Sequence, residues 1–181
     1  NGSSPRAIGG LQFQPDFVWL KNRNSTNWHR WQDSVNGANN TLYSNSQNPQ
    51  APNESNGHLD AFTEDGFIVD DASGSAVNGG SNTFVAWCWK GGGDSNTFNV
   101  DGTGYASASA AGITEGNLAI TGASINRKAG FSIVTFNANN NASATIGHGL
   151  NSKPKFVIVK DTANSDDWQC KFIDDNMYVA L

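Results

Sequence analysis

Two tryptophans near the start of the chain are the best candidates for a binding site. Trp28 and Trp31, with His29 and Arg30 between them, lie outside the most apolar segments. Aromatic rings beside asparagine and aspartate side chains suit the recognition of sugars, because the ring offers an apolar face and the polar groups offer hydrogen bonds. We therefore predict a glycan-binding platform at Trp28, His29, Arg30 and Trp31. Packing in the core is the alternative for most of the six tryptophans.

The residue types that carry catalysis do not form a recognisable motif. The three histidines, His29, His58 and His148, lie in unrelated segments, and the sequence contains no nucleophile elbow, zinc spacing or Walker loop. The run Gly91-Gly92-Gly93 follows an apolar segment, but Asp94-Ser95-Asn96 comes next in place of Lys-Ser, so we interpret the glycines as the end of a strand. We expect a protein that is not an enzyme.

Paired acidic residues occur four times. Loop carboxylates with asparagine neighbours are ligands that calcium accepts, but no Asp-x-Asp-x-Asp-Gly loop is present, and solvated turns are the simpler interpretation. Composition alone leaves a glycosidase carboxylate pair open, although no spacing favours one. We expect no cofactor and no metal site, with calcium as the alternative. The pairs are Glu64-Asp65, Asp70-Asp71, Asp166-Asp167 and Asp174-Asp175.

Composition excludes several classes of partner. The net charge is −5 and the pI is near 4.9, and no Lys/Arg cluster exists, which argues against nucleic acid and against an anionic membrane surface. No apolar run approaches the length of a membrane span, so we expect no membrane insertion. Cys88 lies in an apolar segment, where a buried free thiol is the usual state; a disulfide with Cys170 is the alternative.

An internal repeat organises the chain. The segment Gly10–Lys21 recurs as Gly149–Lys160, with Pro before four apolar residues and Lys after them, as in a strand buried on both faces. The two strands are 139 residues apart, whereas Trp28 and Trp168 are 140 apart, so we predict one inserted loop residue in the second copy.

The repeat predicts the domain organisation. We predict that residues 1–95 are most of a first β-sandwich repeat that lacks its opening strand. Residues 96–129 are predicted to be a connector with one or two short strands, and residues 130–181 the start of a second, truncated copy. Both ends of the chain would then lie within repeats.

Short apolar segments between turn signals predict the fold. Ala61–Thr63 and Phe67–Val69 flank Asp65-Gly66, a strong hairpin signal. In the segment Thr83–Lys90, Phe84, Ala86 and Cys88 alternate with Val85, Trp87 and Trp89, so the two sets should face opposite sides of a strand. No window keeps a helical period. We predict an all-β, loop-rich antiparallel β-sandwich of jelly-roll or lectin-like type with little or no helix. A closed barrel is the alternative, but it would need a more regular strand spacing.

Several of these segments resemble a repeat domain of marine, cyanophage-like bacteriophage structural proteins. The residues that carry the resemblance are Phe13–Arg23, Phe62–Phe67, Thr83–Lys90, Gly130–Phe136, Ile146–Leu150 and Pro154–Lys160. The resemblance implies a β-rich virion domain of a tail fibre or of the particle surface. It also implies other virion proteins as partners and, by analogy with tail fibres, a homotrimer. It assigns no functional residue.

Three functions follow as hypotheses. The first is a non-enzymatic phage virion surface domain, in a tail fibre, an appendage or a decoration, that serves adhesion or display. The second is a lectin-like carbohydrate-binding module that recognises host surface glycans through Trp28 and Trp31. The third is an accessory domain of a glycan-degrading enzyme. Binding of a defined sugar distinguishes the second from the first, and turnover of a glycan distinguishes the third.

Overall fold

The chain folds into short strands joined by turns and loops. The computed structural model describes residues 5–70, 76–173 and 177–180, the last as backbone only, and no helix occurs among them. The all-β prediction is confirmed. The strands, in chain order, are β1 (Arg6–Ile8), β2 (Phe17–Asn22), β3 (Arg30–Asp33), β4 (Asn40–Tyr43), β5 (Ala51–Pro52), β6 (Leu59–Thr63), β7 (Gly66–Val69), β8 (Phe84–Trp89), β9 (Phe98–Val100), β10 (Thr103–Tyr105), β11 (Ile120–Asn126), β12 (Phe131–Phe136), β13 (Phe156–Val159), β14 (Gln169–Phe172) and β15 (Met177–Ala180).

A β-sandwich occupies the first half of the chain. Its larger layer is a five-stranded sheet in the order β5-β4-β3-β2-β8, and its smaller layer is a three-stranded sheet in the order β1-β7-β6, both antiparallel. Alternate residues of β2 face opposite sides of the sheet, and the inward pair, Val18 and Leu20, is 0% and 3% exposed. These two side chains pack with Leu59, Phe67 and Val69 of the smaller layer. The predicted antiparallel β-sandwich is confirmed.

The predicted hairpin is formed by β6 and β7, with Thr63 paired to Gly66. Only glycine fits at position 66, because a Cβ atom there would lie 1.9 Å from the carbonyl oxygen of Ile8 on β1. The turn residue Asp65 accepts hydrogen bonds from the backbone N–H groups of Gly10 and Gln12, both at 2.7 Å. These bonds lower the pKa of Asp65 and hold the segment before β2 against the hairpin.

A second sheet includes most of the stretch predicted as a connector. Strands β9, β10 and β11 lie within residues 96–129, and β12 of the predicted second copy completes their sheet in the order β10-β9-β11-β12. The β9–β11 pair is parallel, whereas the other two pairs are antiparallel. This sheet has its own buried core, formed by Phe98, Val100, Ala111, Ile113, Ala123 and Ile125.

The run Gly91-Gly92-Gly93 joins the sandwich to this second sheet. It comes directly after Lys90, one residue beyond the end of β8, and its first two glycines are buried. The predicted end of a strand at the glycines is thus confirmed. The N–H of Gly91 donates to Asp16 Oδ2 at 2.7 Å, and the N–H of Gly92 donates to Ser124 Oγ at 2.8 Å. A Cβ atom on Gly92 would lie 2.3 Å from the carbonyl oxygen of Asn99. The glycines therefore let the two units approach backbone to backbone.

The third sheet contains a hairpin equivalent to the β2–β3 hairpin of the five-stranded sheet. Strands β13, β14 and β15 are antiparallel neighbours, and β13 pairs with β14 as β2 pairs with β3. Phe17 faces Asp33 and Leu20 faces Arg30 in the first hairpin; Phe156 faces Phe172 and Val159 faces Gln169 in the second. Each residue of the second hairpin therefore corresponds to the residue 139 positions earlier.

This register corrects the predicted loop insertion. With a constant offset of 139, Trp168 takes the position of His29, and not that of Trp28, so no extra loop residue is present. The prediction was wrong because it aligned two tryptophans by their type, whereas the hydrogen-bonded register of the strands sets their true correspondence.

Both cysteines are free thiols, so the alternative of a Cys88–Cys170 disulfide is wrong. Cys88 packs against the core of the sandwich and Cys170 is 4% exposed. Burial raises the pKa of both thiols, which keeps them protonated and unreactive.

Candidate functional site: the aromatic face

A row of four tryptophans crosses the outer face of the five-stranded sheet. Trp87 on β8, Trp19 on β2 and Trp31 on β3 are direct cross-strand neighbours, and Trp168 packs on the far side of Trp31. Successive ring centroids are 5.2, 5.6 and 4.6 Å apart. Cross-strand aromatic pairs of this kind stabilise a sheet.

The row runs from solvent into the interior. Trp87 is 45% exposed, Trp19 and Trp31 are half-buried, and Trp168 is 2% exposed. The buried end of the row belongs to the scaffold. The open end, on the edge strand β8, is the part that a ligand can reach.

A second group of rings extends the open end. Trp89 lies two residues beyond Trp87 on the same side of β8 and is 37% exposed. Its ring centroid is 5.2 Å from that of Phe17 and 6.4 Å from that of Phe131, which it stacks against at 20°. We call Trp19, Trp87, Trp89, Phe17 and Phe131 the aromatic face.

The four residues predicted as a glycan platform lie in different surroundings. Trp28 is 45% exposed and lies against the ring of Tyr43, with centroids 5.1 Å apart. Trp31 packs between Trp19 and Trp168. The structure therefore places the two tryptophans in separate groups of rings, and the platform stays a prediction.

The two polar members of that platform also differ. His29 is half-buried beside Trp19, with ring centroids 6.4 Å apart, and burial together with the Lys21 ammonium lowers its pKa. Arg30 is 3% exposed, and its guanidinium carbon lies 5.4 Å from the centroid of the Tyr43 ring. Of the four predicted residues, Trp28 is the most accessible.

Tyr43 links Arg30 to Glu54 in a largely buried network. Arg30 Nη1 donates to the Tyr43 hydroxyl at 3.5 Å, and that hydroxyl donates to Glu54 Oε2. Burial, followed by the bond to Glu54, raises the pKa of Tyr43 to about 12, whereas the same bond lowers the pKa of Glu54. The network holds a protonated tyrosine between a cation and an anion, so we interpret its role as structural.

The second hairpin is fixed to the first unit through Trp168. The indole Nε1 donates to the carbonyl oxygens of Tyr43 and Ser46, at 2.8 and 3.1 Å. Gln47 Nε2 donates to Asp167 Oδ1 at 2.6 Å, and the loop residue Gln50 donates its backbone N–H to the carbonyl of Thr162 at 2.9 Å. Residues more than 100 positions apart thus hold the repeated hairpin beside the tryptophan row.

An open groove lies where the glycine run joins the two units. Its volume is about 1020 Å³, and its lining includes Phe13, Gln14, Lys90, Asn126 and Lys128. Acidic residues line it as well, so its charges are mixed; these residues are Asp16, Glu64, Asp94 and Asp101. The groove begins directly after Trp89 and borders the aromatic face.

Three of the paired acidic residues have partners of their own: Asp65 bonds Gly10 and Gln12, Asp167 bonds Gln47, and Asp70 faces His58. Asp70 lies 3.3 Å from Nδ1 of His58, and Asp60 lies 3.4 Å from Nε2 of the same ring. Asp71, Asp174 and Asp175 lie outside the described residues. Within residues 5–70 and 76–173, no group of three or more His, Cys, Asp or Glu side chains is placed to hold a metal ion. No helix in the described part of the chain is long and apolar enough to cross a membrane.

One family model matches the sequence, over residues 1–176, and its description is a domain of unknown function, DUF7483. The chain belongs to the DUF7483 family. No curated protein and no solved structure matches it.

The DUF7483 match covers all three sheets except the last strand, β15. It begins before β1 and ends after β14, so it includes the sandwich, the second sheet and the docked hairpin. The aromatic face and the contacts of Trp168 thus both lie within the matched region.

Sequence reasoning found the strand that carries the aromatic face but did not assign it a role. The alternation in Thr83–Lys90 placed Trp87 and Trp89 on one side of a strand, and the structure confirms this. The sequence did contain a signal for this site. Two tryptophans stand at positions i and i+2 of one strand, shortly before three glycines. Their contacts with Trp19 and Phe131 were not predictable, because they depend on the pairing of strands far apart in sequence.

Proposed function

We propose that this chain is a non-enzymatic surface domain of a bacteriophage particle, in a tail fibre, an appendage or a decoration protein, and that it serves adhesion or display. The resemblance of its strand motifs to virion repeat domains supports the location. The observation that supports adhesion is the exposed pair Trp87 and Trp89, which are 45% and 37% accessible and lie two residues apart on the same side of the edge strand β8. Its partners would be other virion proteins and the host surface, and its assembly a homo-oligomer, a trimer by analogy.

The packing of Trp87 and Trp89 against neighbouring rings favours a role in adhesion. Trp19 lies beside Trp87 and Phe17 lies beside Trp89, and the ring centroids are 5.2 Å apart in each pair. Rings held in this way lose little conformational entropy when a ligand binds, which favours affinity. Exposed apolar groups of this size commonly mark interaction sites.

Electron microscopy of a phage that carries this chain tests the location. An antibody raised against the purified domain should label intact particles at the tail or on the capsid surface. Labelling confined to lysed cells, with none on purified particles, would overturn the virion assignment. An antibody against a major capsid protein of the same phage serves as the positive control.

Carbohydrate recognition is the second candidate function, and the spacing of the two exposed indoles favours it. Residues i and i+2 of a strand are about 7 Å apart, so Trp87 and Trp89 present two ring surfaces side by side on the same side of the sheet. Sugar rings offer C–H faces to aromatic rings and hydroxyl groups to polar neighbours. The adjacent groove supplies those polar neighbours, among them Gln14 and Asn126.

A glycan-array screen with two single variants tests this candidate and locates the site. We expect saturable binding that falls at least about tenfold in Trp87→Ala, equivalent to about 1.4 kcal/mol, and is unchanged in Trp28→Ala. Trp28 is a matched control, because it is equally exposed and is one of the predicted platform residues. The reverse pattern would assign the site to Trp28, and no binding by the folded wild-type protein would overturn carbohydrate recognition.

A further inference from the structure

Two sheets in this molecule end in strands whose outer sides are unpaired. Strand β8 (Phe84–Trp89) is the last strand of the five-stranded sheet, and β13 (Phe156–Val159) is the first of the three-stranded sheet. Among the described strands, each pairs on one side only. An unpaired edge offers a row of free N–H and C=O groups to another strand.

Neither edge carries the features by which proteins usually prevent such pairing, which are charge, proline, a bulge or a very short strand. Strand β8 reads Phe-Val-Ala-Trp-Cys-Trp and β13 reads Phe-Val-Ile-Val. Four of the other edges among the described strands are protected. β5 has two residues and ends at Pro52, β6 contains Asp60 and a bulge, and β1 and β10 have three residues each.

Both unprotected edges are exposed. Trp87, Trp89 and Ala86 are accessible on β8, and Phe156 and Val159 are 43% and 38% exposed on β13. Strands β12 and β15 are two further uncharged edges. Strand β12 is half-buried along its length, and its Phe131 packs against Phe17 and Trp89, whereas β15 is the opposite edge of the sheet that contains β13.

The internal repeat indicates what fits the edge of β13. In the first copy, β2 pairs with β3 on one side and with β8 on the other, over six residue pairs from Phe17↔Trp89 to Asn22↔Phe84. In the second copy, β13 takes the place of β2 and pairs with β14 in the same register as β2 with β3. The unpaired side of β13 is therefore the equivalent of the side on which β2 binds β8, and a strand of the β8 type suits it.

We propose that the outer edge of β8 in one copy of this chain pairs antiparallel with β13 of a second copy. The two sheets then become continuous, and the exposed aromatic residues of β8 lie beside Phe156 in one surface. Because the contact joins two different edges, it is head-to-tail, so it closes into a ring or continues as a filament. Backbone groups make the contact, so it leaves the aromatic face open, and it does not depend on the proposed adhesion.

Light scattering of the whole chain at increasing concentration tests the proposal with three lysine variants. Ala86→Lys blocks the β8 edge, Val159→Lys blocks the β13 edge, and Ala106→Lys places the same charge on an exposed loop as a control. The wild-type protein and the control should rise from 19.2 kDa to multiples of that mass. Each edge variant alone should stay at the mass of one chain, and an equal mixture of the two should form a species of two chains.

The mixture distinguishes this geometry from the alternatives. If Val159→Lys still associates on its own, the contact is β8 with β8; if Ala86→Lys does, it is β13 with β13, and either result overturns the proposal. A wild-type protein that keeps the mass of one chain at every concentration overturns it too. Should a variant lose the wild-type circular dichroism spectrum, hydrogen exchange of the wild-type protein decides, because protection that grows with concentration must then appear in both β8 and β13.

Discussion

Trp168 lies edge-on to Trp31, with ring centroids 4.6 Å apart and an angle of 76° between the ring planes. The two residues come from different copies of the internal repeat. Trp31 is in the middle of the first hairpin, and Trp168 is the residue before β14 in the second. The contact is therefore one of those that attach the second hairpin to the first unit, beside the bonds of Gln47 to Asp167 and of Gln50 to Thr162.

We expect Trp168→Ala to detach the second hairpin while the sandwich stays folded. The variant removes a buried indole together with its hydrogen bonds to the carbonyl oxygens of Tyr43 and Ser46. Loss of a buried tryptophan costs about 3–5 kcal/mol. Hydrogen exchange should show faster exchange in β13 and β14 and unchanged protection in β2 and β7. Equal loss of protection in all four strands would show that the units unfold together.

Lys21 and Lys160 make equivalent hydrogen bonds to the backbone in the two hairpins. Lys21 Nζ donates to the carbonyl oxygen of Ser25 at 2.9 Å, and Lys160 Nζ donates to that of Asn164 at 3.1 Å, four residues later in each case. We expect Lys21→Met to lower the free energy of unfolding by about 1–3 kcal/mol, as for hydrogen bonds to charged groups. Lys160→Met should cost less, because its bonds are exposed to solvent.

Urea denaturation of the two variants and of Lys153→Met measures these differences. Lys153 is an exposed lysine outside both turns and serves as the control. A loss in Lys153→Met equal to that in Lys21→Met would mean that the effect comes from net charge and not from the turn.

Local sequence patterns were enough to predict several strands, whereas the aromatic face depends on contacts between residues far apart in the sequence. The alternation of apolar residues around Trp87 and the Asp65-Gly66 turn each fixed an element, because a strand face and a tight turn depend on neighbouring residues only. The contact of Trp168 with Tyr43 spans 125 positions, and no spacing within the chain indicates it.

Strands that lack a clear apolar pattern were also hard to predict from the sequence. Strands β9 and β11 contain small and polar residues such as Asn99, Ser124 and Gly122, which carry little strand signal. Hydrogen bonds to distant segments support them: Asn99 Nδ2 donates to the carbonyl of Ala123 on β11, and Ser124 Oγ donates to the carbonyl of Gly93. Such tertiary hydrogen bonds do not appear in the periodicity of a sequence.

We expect Gly92→Ala to disrupt the junction between the sandwich and the second sheet. The new methyl group would lie 2.3 Å from the carbonyl oxygen of Asn99 and 2.6 Å from two backbone atoms of Ile125, which cannot move independently. Overpacking of this kind costs about 1–3 kcal/mol. Gly102→Asn is the control, because Gly102 has open space around its Cβ position and asparagine tolerates its φ of 87°. Thermal unfolding should show a lower Tm for Gly92→Ala than for Gly102→Asn, and the opposite order would contradict a crowded junction.

Asp33 should make the protein less stable as the pH rises. It is a buried carboxyl at the end of β3. Burial raises its pKa above the ordinary value of 3.8, against the lowering effect of bonds from Asn36 and Val35, and the nearby Asp16 carboxylate raises it further. The folded protein thus holds this proton to a higher pH than the unfolded chain does. The stabilisation that follows is complete below the unfolded pKa and is lost as the pH rises through the folded pKa. Asp33→Asn cannot ionise, so the Tm of the wild type relative to this variant should fall as the pH is raised from about 4 to neutral. A difference in Tm that is constant over that range would show that Asp33 ionises equally in both states.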